Sequence, residues 1–405
     1  MAKKDLTPDV EGARAAMGDV VRRTPVLSSR TLSELCGATV VLKAENLQRT
    51  GSFKLRGALA KLAALGPRCA AGVVTGSAGN HGQALAYAAR VRGVPCEVFM
   101  PASAPIAKVE AASALGAEVR MAGEHVIDAL MAAEERSREA GMHLVHPFED
   151  LDVIAGQATI GGELLEDVDD LAAVVVPIGG GGLASGIGLA VKERRPQIKL
   201  VGVQAEACAP VPASLRTGQP VLAERVLTIA DGIAVKQPGV LTLELLHRYL
   251  DDVVVVPEDE IAEAMVFLLE RAKLVVEGAG AVGVAALLDG RVGCPQRGTT
   301  VALLSGGNVD PGLLASVARR HETEAGRRLV LLTRVDDRPG ALARLLAVVA
   351  EHGANLVEVS HVREGLDLHV RETAVELVLE TRSRDHAGEC VSAVAQAGYA
   401  VRVLR

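Results

Sequence analysis

A lysine that follows an aromatic residue and a turn of small residues is the group in this chain best suited to covalent chemistry. Gly51 and Ser52 break the chain before Phe53, and the Ala- and Leu-rich stretch Lys54–Leu65 predicts an amphipathic helix that begins at the lysine. The positive end of a helix disfavours an ammonium ion and favours the neutral amine, which attacks carbonyl carbons. An ordinary surface lysine is the alternative, and two motifs further along the chain argue against it.

Four consecutive glycines after an apolar run are the first of these motifs. The run 174–178 has the character of a buried strand, and a helix is predicted after the glycines Gly179, Gly180, Gly181 and Gly182. Backbone N–H groups without side chains between them can converge on one anion, and the helix start adds its positive end. A flexible turn is the alternative, but four glycines lose much backbone entropy unless a close approach requires them. The motif therefore predicts a phosphate cradle.

A second buried strand, 301–304, ends in Ser305, Gly306, Gly307 and Asn308. Open α/β sheets bind their ligands beyond the carboxyl ends of the strands, so the hydroxyl of Ser305 would face such a ligand. A serine in a turn is the commoner explanation for this residue when it is taken alone.

A third cluster, Gly76-Ser77-Ala78-Gly79-Asn80-His81-Gly82-Gln83, follows a short strand and opens a predicted helix that runs to Arg90. Its backbone amides and side-chain donors suit a substrate carboxylate bound at a helix N-terminus. His81 would serve either as a general base or as a histidine packed into the turn.

Together these motifs resemble those of the tryptophan-synthase-β-like (fold type II) pyridoxal-phosphate enzymes, most closely the threonine and serine dehydratases. The resemblance runs from about Thr24 to Asn308, and the motifs S-F-K-x-R-G-A, S-A-G-N-H-G-Q, G-G-G-G-L and S-G-G-N follow the order of that family. It implies an α/β fold with two lobes built on open parallel sheets. It also implies pyridoxal 5'-phosphate as the cofactor and an amino acid as the substrate.

The resemblance assigns a role to each motif residue. Lys54 would bind the cofactor covalently, Phe53 would lie against its ring, Asn80 would bind the ring hydroxyl, and Ser305 would meet the pyridine nitrogen. Glu277 lies where relatives keep an acidic residue near the ring. The cofactor phosphate would be held by Gly179, Gly180, Gly181, Gly182 and Leu183, and the substrate carboxylate by Ser77, Gly79, Asn80 and His81.

The expected reaction is the α,β-elimination that converts threonine into 2-oxobutanoate and ammonium, or serine into pyruvate. A neutral serine at the pyridine nitrogen makes the cofactor a weaker electron sink than an aspartate would, which favours prompt loss of the β-hydroxyl group. Racemases of this family carry a second serine where this chain has Ala78. A serine racemase and a non-catalytic amino-acid sensor on the same fold are the alternatives. Only Glu206 is acidic in the segment where some relatives bind a cation, and no metal is assigned.

Composition limits the class of protein further. The chain has 405 residues and a net charge of −7, and it shows no basic stripe, so no nucleic-acid partner is expected. Pro177 and the glycines interrupt the uncharged stretch 171–191, which argues against a membrane span. The first residues lack the apolar segment of a signal peptide, and the six cysteines show no paired spacing. A reducing cytoplasm is therefore the expected location.

Strand-like and helical segments alternate from residue 38 onward, as in parallel sheets covered on both faces. Strands are predicted at 40–43, 73–75, 97–100, 174–178, 200–203 and 300–304. The resemblance implies a catalytic domain over 1–324, with a smaller lobe of about 36–146 inserted into the larger one.

Residues 328–405 have the βαββαβ order of a ferredoxin-like module. D-x-P-G-A-L after the first strand and G-A-N-L after the first helix resemble the ACT domain, which binds amino acids between paired modules. This implies a homodimer or homotetramer controlled by isoleucine or another branched-chain amino acid, and a dimerisation module without ligand is the alternative. The candidate effector-site residues are Gly340, Ala341, Leu342 and Asn355.

Overall fold

The computed structural model describes residues 8–363 and 368–404. Contacts divide the chain into two compact units, Met1–Val309 and Asp310–Arg405. The boundary lies before the helix that the sequence assigned to the catalytic domain, because this helix packs against the first strand of the C-terminal unit. No helix within the described ranges is both long and apolar enough to cross a membrane.

The first unit contains ten strands and twelve α-helices within the described residues. The strands are β1 (Val26–Ser28), β2 (Val40–Ala44), β3 (Val73–Gly76), β4 (Cys96–Met100), β5 (Glu118–Met121), β6 (His143–Leu144), β7 (Leu171–Pro177), β8 (Lys199–Ala205), β9 (Asp252–Val256) and β10 (Thr299–Leu304). The helices are α1 (Val10–Met17), α2 (Arg30–Cys36), α3 (Lys54–Leu65), α4 (Asn80–Arg92), α5 (Ile106–Ala114), α6 (Val126–Ala140), α7 (Leu151–Asp167), α8 (Gly182–Lys192), α9 (Val211–Thr217), α10 (Val240–Tyr249), α11 (Glu258–Phe267) and α12 (Gly278–Leu288).

Two sheets form the two lobes of this unit. The larger sheet has the order β1-β2-β10-β7-β8-β9, and all of its pairings are parallel except that of β1 with β2. The smaller sheet, β5-β4-β3-β6, is parallel throughout. The predicted two-lobed parallel α/β fold is confirmed. The inserted lobe begins later than residue 36, because β2 pairs with β10 of the larger sheet and the smaller sheet begins at Val73.

Helix α3, which begins at Lys54, lies in close backbone contact with α7. A Cβ atom added to Gly156 of α7 would lie 2.5 Å from the carbonyl oxygen of Arg56 and 2.6 Å from the Cα of Gly57. Only glycine allows the two helices to approach so closely. A Cβ at Gly57, the glycine of the S-F-K-L-R-G motif, would likewise lie 3.0 Å from the carbonyl oxygen of Val153, so both glycines set the distance between the two helices.

A buried cluster of four charged side chains, Lys43, Glu45, Arg56 and Glu163, also holds α3 in place. The Arg56 guanidinium donates to Glu45 at 2.7 and 2.9 Å and to Glu163 at 2.6 and 3.0 Å. Lys43 donates to Glu163 at 2.6 Å. The exposed fraction of Arg56, Lys43 and Glu45 is 0%. Burial alone would lower the pKa of Arg56, but the two carboxylates more than offset this and raise it. The cluster is neutral overall, which makes its burial tolerable.

The second unit contains β11 (Arg328–Asp336), β12 (Asn355–Val362), β13 (Glu372–Glu380) and β14 (Val401–Leu404). Its helices are α13 (Pro311–Glu324), α14 (Ala341–Glu351) and α15 (Arg384–Gln396). The sheet order is β12-β13-β11-β14, and all of its pairings are antiparallel. The predicted βαββαβ module is confirmed.

The charged cluster gives a prediction about stability. In the Arg56→Met variant, two buried carboxylates lose their main counter-charge, so the free energy of unfolding should fall by about 3–5 kcal/mol. Urea unfolding of the variant and of the parent chain measures this loss. Arg30→Met is the matched control, because the Arg30 side chain pairs with Glu34 one turn along the same helix and is 91% exposed. Its effect should stay below about 1 kcal/mol. Equal losses in the two variants would contradict the role given to the cluster.

Candidate active site

The turn before Lys54 is hydrogen-bonded to the residues that follow β10. Ser52 and Gly306 form an isolated antiparallel bridge, and the Phe53 N–H donates to the carbonyl oxygen of Ser305 at 3.1 Å. Two motifs separated by about 250 residues in the sequence are therefore adjacent in space. Lys54 is the first residue of α3, as the sequence predicts.

The amine of Lys54 lies in a confined environment. Its Nζ donates to the carbonyl oxygen of Pro147 at 2.9 Å and lies 5.2 Å from the centroid of the Phe53 ring. Burial lowers the pKa of Lys54 to about 8, and the carboxylate of Glu277 partly opposes this effect. The site therefore contains an amine that is partly unprotonated near neutral pH, as a carbonyl nucleophile or a proton acceptor requires.

Phe148, the residue after Pro147, packs against the four glycines. The Phe148 side chain packs so closely that a Cβ at Gly180 would overlap its ring, and one at Gly182 would lie 3.0 Å from its Cβ. The Thr242 hydroxyl donates to the carbonyl oxygen of Gly180 at 2.7 Å. Phe148 therefore shapes the glycine loop, while its neighbour in the chain holds the lysine amine.

The glycine loop has the conformation of an anion cradle. It follows β7, and Gly181 is the N-cap of α8 with a φ of 98°, in the left-handed region that favours glycine. Gly182 and Leu183 begin the helix, where backbone N–H groups have no partner within the helix. The loop lies at the carboxyl edge of the sheet, and β7 is the neighbour of β10, which leads to Ser305. This arrangement suits a phosphate group.

A second hydrogen-bonded group connects the two lobes. Asn80, at the start of α4, donates from its side chain to Glu277 at 2.7 Å. Asn308 donates to the side-chain oxygen of Asn80 at 2.7 Å and to the carbonyl oxygen of Thr50 at 2.8 Å. Burial, and next the charge of Asp231, raise the pKa of Glu277 to about 7. Asn80 is thereby fixed between the lysine turn and a carboxyl group that titrates near neutrality.

The turn Ser77–Gly79 stands before α4, with Gly79 as the N-cap of that helix. Ser77, Gly79 and Asn80 are half-buried, and the Gly79 N–H donates to the Ser77 hydroxyl at 3.3 Å. His81 is buried, and its Nε2 lies 2.9 Å from the carbonyl oxygen of Val145. Burial, and next the charge of Lys54, lower the pKa of His81 to about 3. This environment favours the interpretation of His81 as a neutral histidine packed into the turn.

Sequence reasoning missed three residues that build this site. The Pro147 carbonyl oxygen binds the lysine amine, and Phe148 shapes the glycine loop. Asn308 connects Asn80 to the lysine turn. Asn308 was visible as the last residue of S-G-G-N. The sequence signal for Phe148 is weaker and consists only of its rarity, since phenylalanine occurs four times in the chain.

The candidate effector residues do not converge within one copy of the second unit. Gly340 caps α14 with a φ of 83°, Ala341 is buried, and Leu342 packs against the core of the unit. Asn355 begins β12, beyond the far end of this eleven-residue helix, and donates to Glu380 at 3.1 Å. A helix of that length spans about 16 Å, so Asn355 and Gly340 belong to opposite ends of the module.

Pyridoxal phosphate fits the residues of the first unit. The glycine loop carries the N–H groups at the start of α8 that have no partner within the helix and suit a phosphate, and the Lys54 amine is suited to bind an aldehyde. The buried hydroxyl of Ser305 makes one long contact of 3.5 Å, with the carbonyl oxygen of Ala279. The buried Ser52 hydroxyl has no hydrogen-bond partner among the described residues. These groups are available to a polar ligand. No group of three or more His, Cys, Asp or Glu side chains that could hold a metal ion occurs in the described part of the chain.

Comparison with known proteins agrees with this architecture. The family described as "Pyridoxal-phosphate dependent enzyme" matches residues 18–306, and the ACT domain matches residues 329–395. The chain therefore belongs to the pyridoxal-phosphate-dependent enzymes and carries a C-terminal ACT domain. It is 45% identical to L-threonine ammonia-lyase of Thermotoga maritima over 98% of both chains. It is 47% identical to L-threonine ammonia-lyase of Geobacter sulfurreducens over 95% of this chain and 96% of that one. Within this class, the chain is a member of the L-threonine ammonia-lyase family.

Among solved structures, maize serine racemase is similar to the first unit in fold. Its TM-score is 0.73 at 34% identity, and the match covers 78% of this chain and 97% of the racemase. The two ammonia-lyases match this chain over a larger share of its length and at higher identity.

The electrostatics of the site give a prediction. In the Glu277→Gln variant, the Asn80 hydrogen bond can remain, but the carboxylate that raises the pKa of Lys54 is lost. The midpoint for capture of pyridoxal phosphate by the apoprotein should then move from about 8 to lower pH. The rate of appearance of the yellow chromophore between pH 6 and 10 measures this midpoint. Glu224→Gln, at an exposed carboxylate, is the control. An unchanged midpoint in Glu277→Gln would contradict the coupling.

Proposed function

We propose that this chain is a pyridoxal-phosphate-dependent ammonia-lyase that converts L-threonine into 2-oxobutanoate and ammonium, and L-serine into pyruvate. The observation that carries the proposal is the Lys54 amine, which has a pKa near 8 and is held by Pro147 beside the Phe148 that shapes the glycine loop. The similarity to threonine ammonia-lyases over nearly the whole chain supports the choice of substrate.

The cofactor, when bound, supplies the electron sink that makes the Cα proton of an amino acid acidic. Lys54 would bind its aldehyde and Phe53 would lie against its ring. The amides of Gly179 to Leu183 would hold its phosphate, Ser305 its ring nitrogen and Asn80 its ring hydroxyl. Glu277 holds Asn80 in position through the 2.7 Å hydrogen bond.

The protein's own groups then direct the reaction. The backbone amides of Ser77, Gly79, Asn80 and His81, together with the Ser77 hydroxyl, would bind the substrate carboxylate at the start of α4 and orient the Cα–H bond. The neutral Lys54 amine would accept the Cα proton and, once protonated, is a candidate donor to the departing β-hydroxyl group. Hydrolysis of the enamine that leaves the enzyme would give the 2-oxo acid and ammonium.

Ala78 favours elimination over racemisation. It is half-buried in the turn that would bind the substrate carboxylate, and its methyl group cannot donate a proton. Reprotonation from the face opposite Lys54 therefore has no donor at this position. Serine racemase activity remains the second candidate function, because the maize enzyme shares the fold of the first unit.

The first functional prediction concerns the reaction. The holoenzyme should release 2-oxobutanoate from L-threonine, and Lys54→Ala should abolish this release, because the variant lacks both the cofactor-binding amine and the proton acceptor. Coupled detection of the 2-oxo acid measures the rate. Lys61→Ala, in the same helix but paired with Asp150 and Asp152, is the matched control.

Two other outcomes would identify the alternative functions, a racemase and a non-catalytic sensor. D-serine accumulation from L-serine without pyruvate would identify a racemase. A protein that lacks the absorption band of lysine-bound cofactor and forms no keto acid would be a sensor, and either result would overturn the proposal.

We further propose that the second unit is a regulatory module for a branched-chain amino acid, with isoleucine the first candidate. Gly340 and Asn355 lie at opposite ends of the module, so an effector site that uses both requires two copies of it. A homodimer or homotetramer would provide such a pairing. In this proposal the enzyme acts in the cytoplasm, either on the route to isoleucine or in threonine breakdown, which use the same chemistry.

The regulatory proposal predicts an effect on threonine kinetics. Isoleucine should change the apparent affinity for threonine by about 5- to 150-fold, which corresponds to a coupling of about 1–3 kcal/mol. Asn355→Ala should weaken this response without changing the rate at saturating threonine. Gln396→Ala, an exposed amide at the end of α15, is the control. Steady-state rates with and without isoleucine measure the effect, and identical curves would leave dimerisation as the role of the module.

A further inference from the structure

Two cysteines that lie far apart in the sequence are neighbours in the first unit. Cys36 is the last residue of α2, and Cys294 lies between α12 and β10. Strands β2 and β10 are parallel neighbours with Val40 paired to Thr300, so the segments that precede them reach the same edge of the sheet. The Cys36 and Cys294 thiols are close enough there to shift each other's pKa in opposite directions. The Cys36 sulfur also lies 3.9 Å from the carbonyl oxygen of Leu287, at the end of α12.

These two thiols differ from the other cysteines in their accessibility. Both are free and partly exposed, whereas the remaining four, Cys69, Cys96, Cys208 and Cys390, are buried. A small reagent in solution can therefore reach this pair without unfolding the protein, but it cannot readily reach the others.

The pair also contains a suitable nucleophile. The interaction with Cys36 lowers the pKa of Cys294, and burial opposes this shift. The same contact raises the pKa of Cys36. Cys294 is therefore the thiol of the pair that loses its proton more readily, and Cys36 is the one that keeps it.

We propose that Cys36 and Cys294 are a redox modification site, in which a low-molecular-weight disulfide such as oxidised glutathione converts the two thiols into a reversible disulfide bond. The Cys294 thiolate attacks one sulfur of the reagent, forms a mixed disulfide and releases one glutathione thiolate. Cys36 then loses its proton and attacks the Cys294 sulfur, which releases the second glutathione thiolate. The protein loses two protons and two electrons; the reagent takes up the two electrons, and its two thiolates can take up the protons.

The position of the bond determines its effect. It would join the segments before β2 and β10, about 20 Å from the carboxyl end of β10, where Ser305 lies, because the strand has six residues. The residues around Lys54 would keep their geometry. The cross-link should therefore slow unfolding of the first unit and leave the rate of the reaction unchanged.

Peptide mapping of the full-length holoenzyme tests the site without reliance on any activity. The native protein is incubated with oxidised glutathione, its remaining thiols are alkylated, and it is digested under non-reducing conditions. Mass spectrometry should find one cross-linked pair of peptides containing Cys36 and Cys294, which dithiothreitol separates. Cys36→Ser should stop at the glutathione adduct on Cys294, and Cys294→Ser should give neither product. Cys69→Ser, at a buried cysteine whose hydrogen bond to the Leu62 carbonyl a serine can replace, should cross-link like the parent chain.

Heat-inactivation rates give the second measurement. The oxidised parent chain should lose its chromophore more slowly than the reduced one, and the Cys36→Ser protein should show no such difference. The proposal is overturned if Cys36 and Cys294 are both fully alkylated after oxidation, if other cysteines form the bond, or if Cys294 keeps the glutathione adduct in the parent chain.

Discussion

The contact between α3 and α7 is the constraint on which the site depends. Gly57 and Gly156 bring the two backbones together, and Arg56 then meets Glu163 of α7 and Glu45 beyond β2. Because the cluster of four charged side chains is buried, water cannot replace a partner that moves away. The direction of α3 is thereby fixed, and so is the place where Lys54 begins the helix.

The position of α3 allows groups from both lobes to meet at the lysine. Pro147 supplies the carbonyl oxygen that binds the amine, and Phe148 places the glycine loop nearby. Asn80, from the start of α4, reaches Glu277 at the start of α12. The low polarity of this enclosed region shifts the pKa values of Lys54 and Glu277 toward neutrality from opposite sides. The two near-neutral pKa values are therefore a property of the assembled lobes rather than of either one.

The sequence predicted those features that local pattern controls. The start of α3 at Lys54, the glycine loop after β7 and the βαββαβ module follow from periodicity, glycine placement and strand order. The boundary of the inserted lobe did not follow from such patterns. The sequence of β2 is typical of any buried strand, and only its pairing with β10 assigns it to the larger sheet. The roles of Pro147 and Phe148 and the meeting of Cys36 with Cys294 were equally hidden, because they depend on contacts between distant segments.

The packing of Phe148 on the glycine loop has a consequence for how such a chain can evolve. The ring fills the volume that a side chain at Gly180 would need, and the Cβ and backbone of Phe148 lie against Gly182. A lineage that acquires a side chain at position 180 must lose bulk at position 148, and an intermediate with only one of the changes would be poorly packed. Substitutions at these positions should therefore be correlated, and they should be rarer than substitutions at the surface.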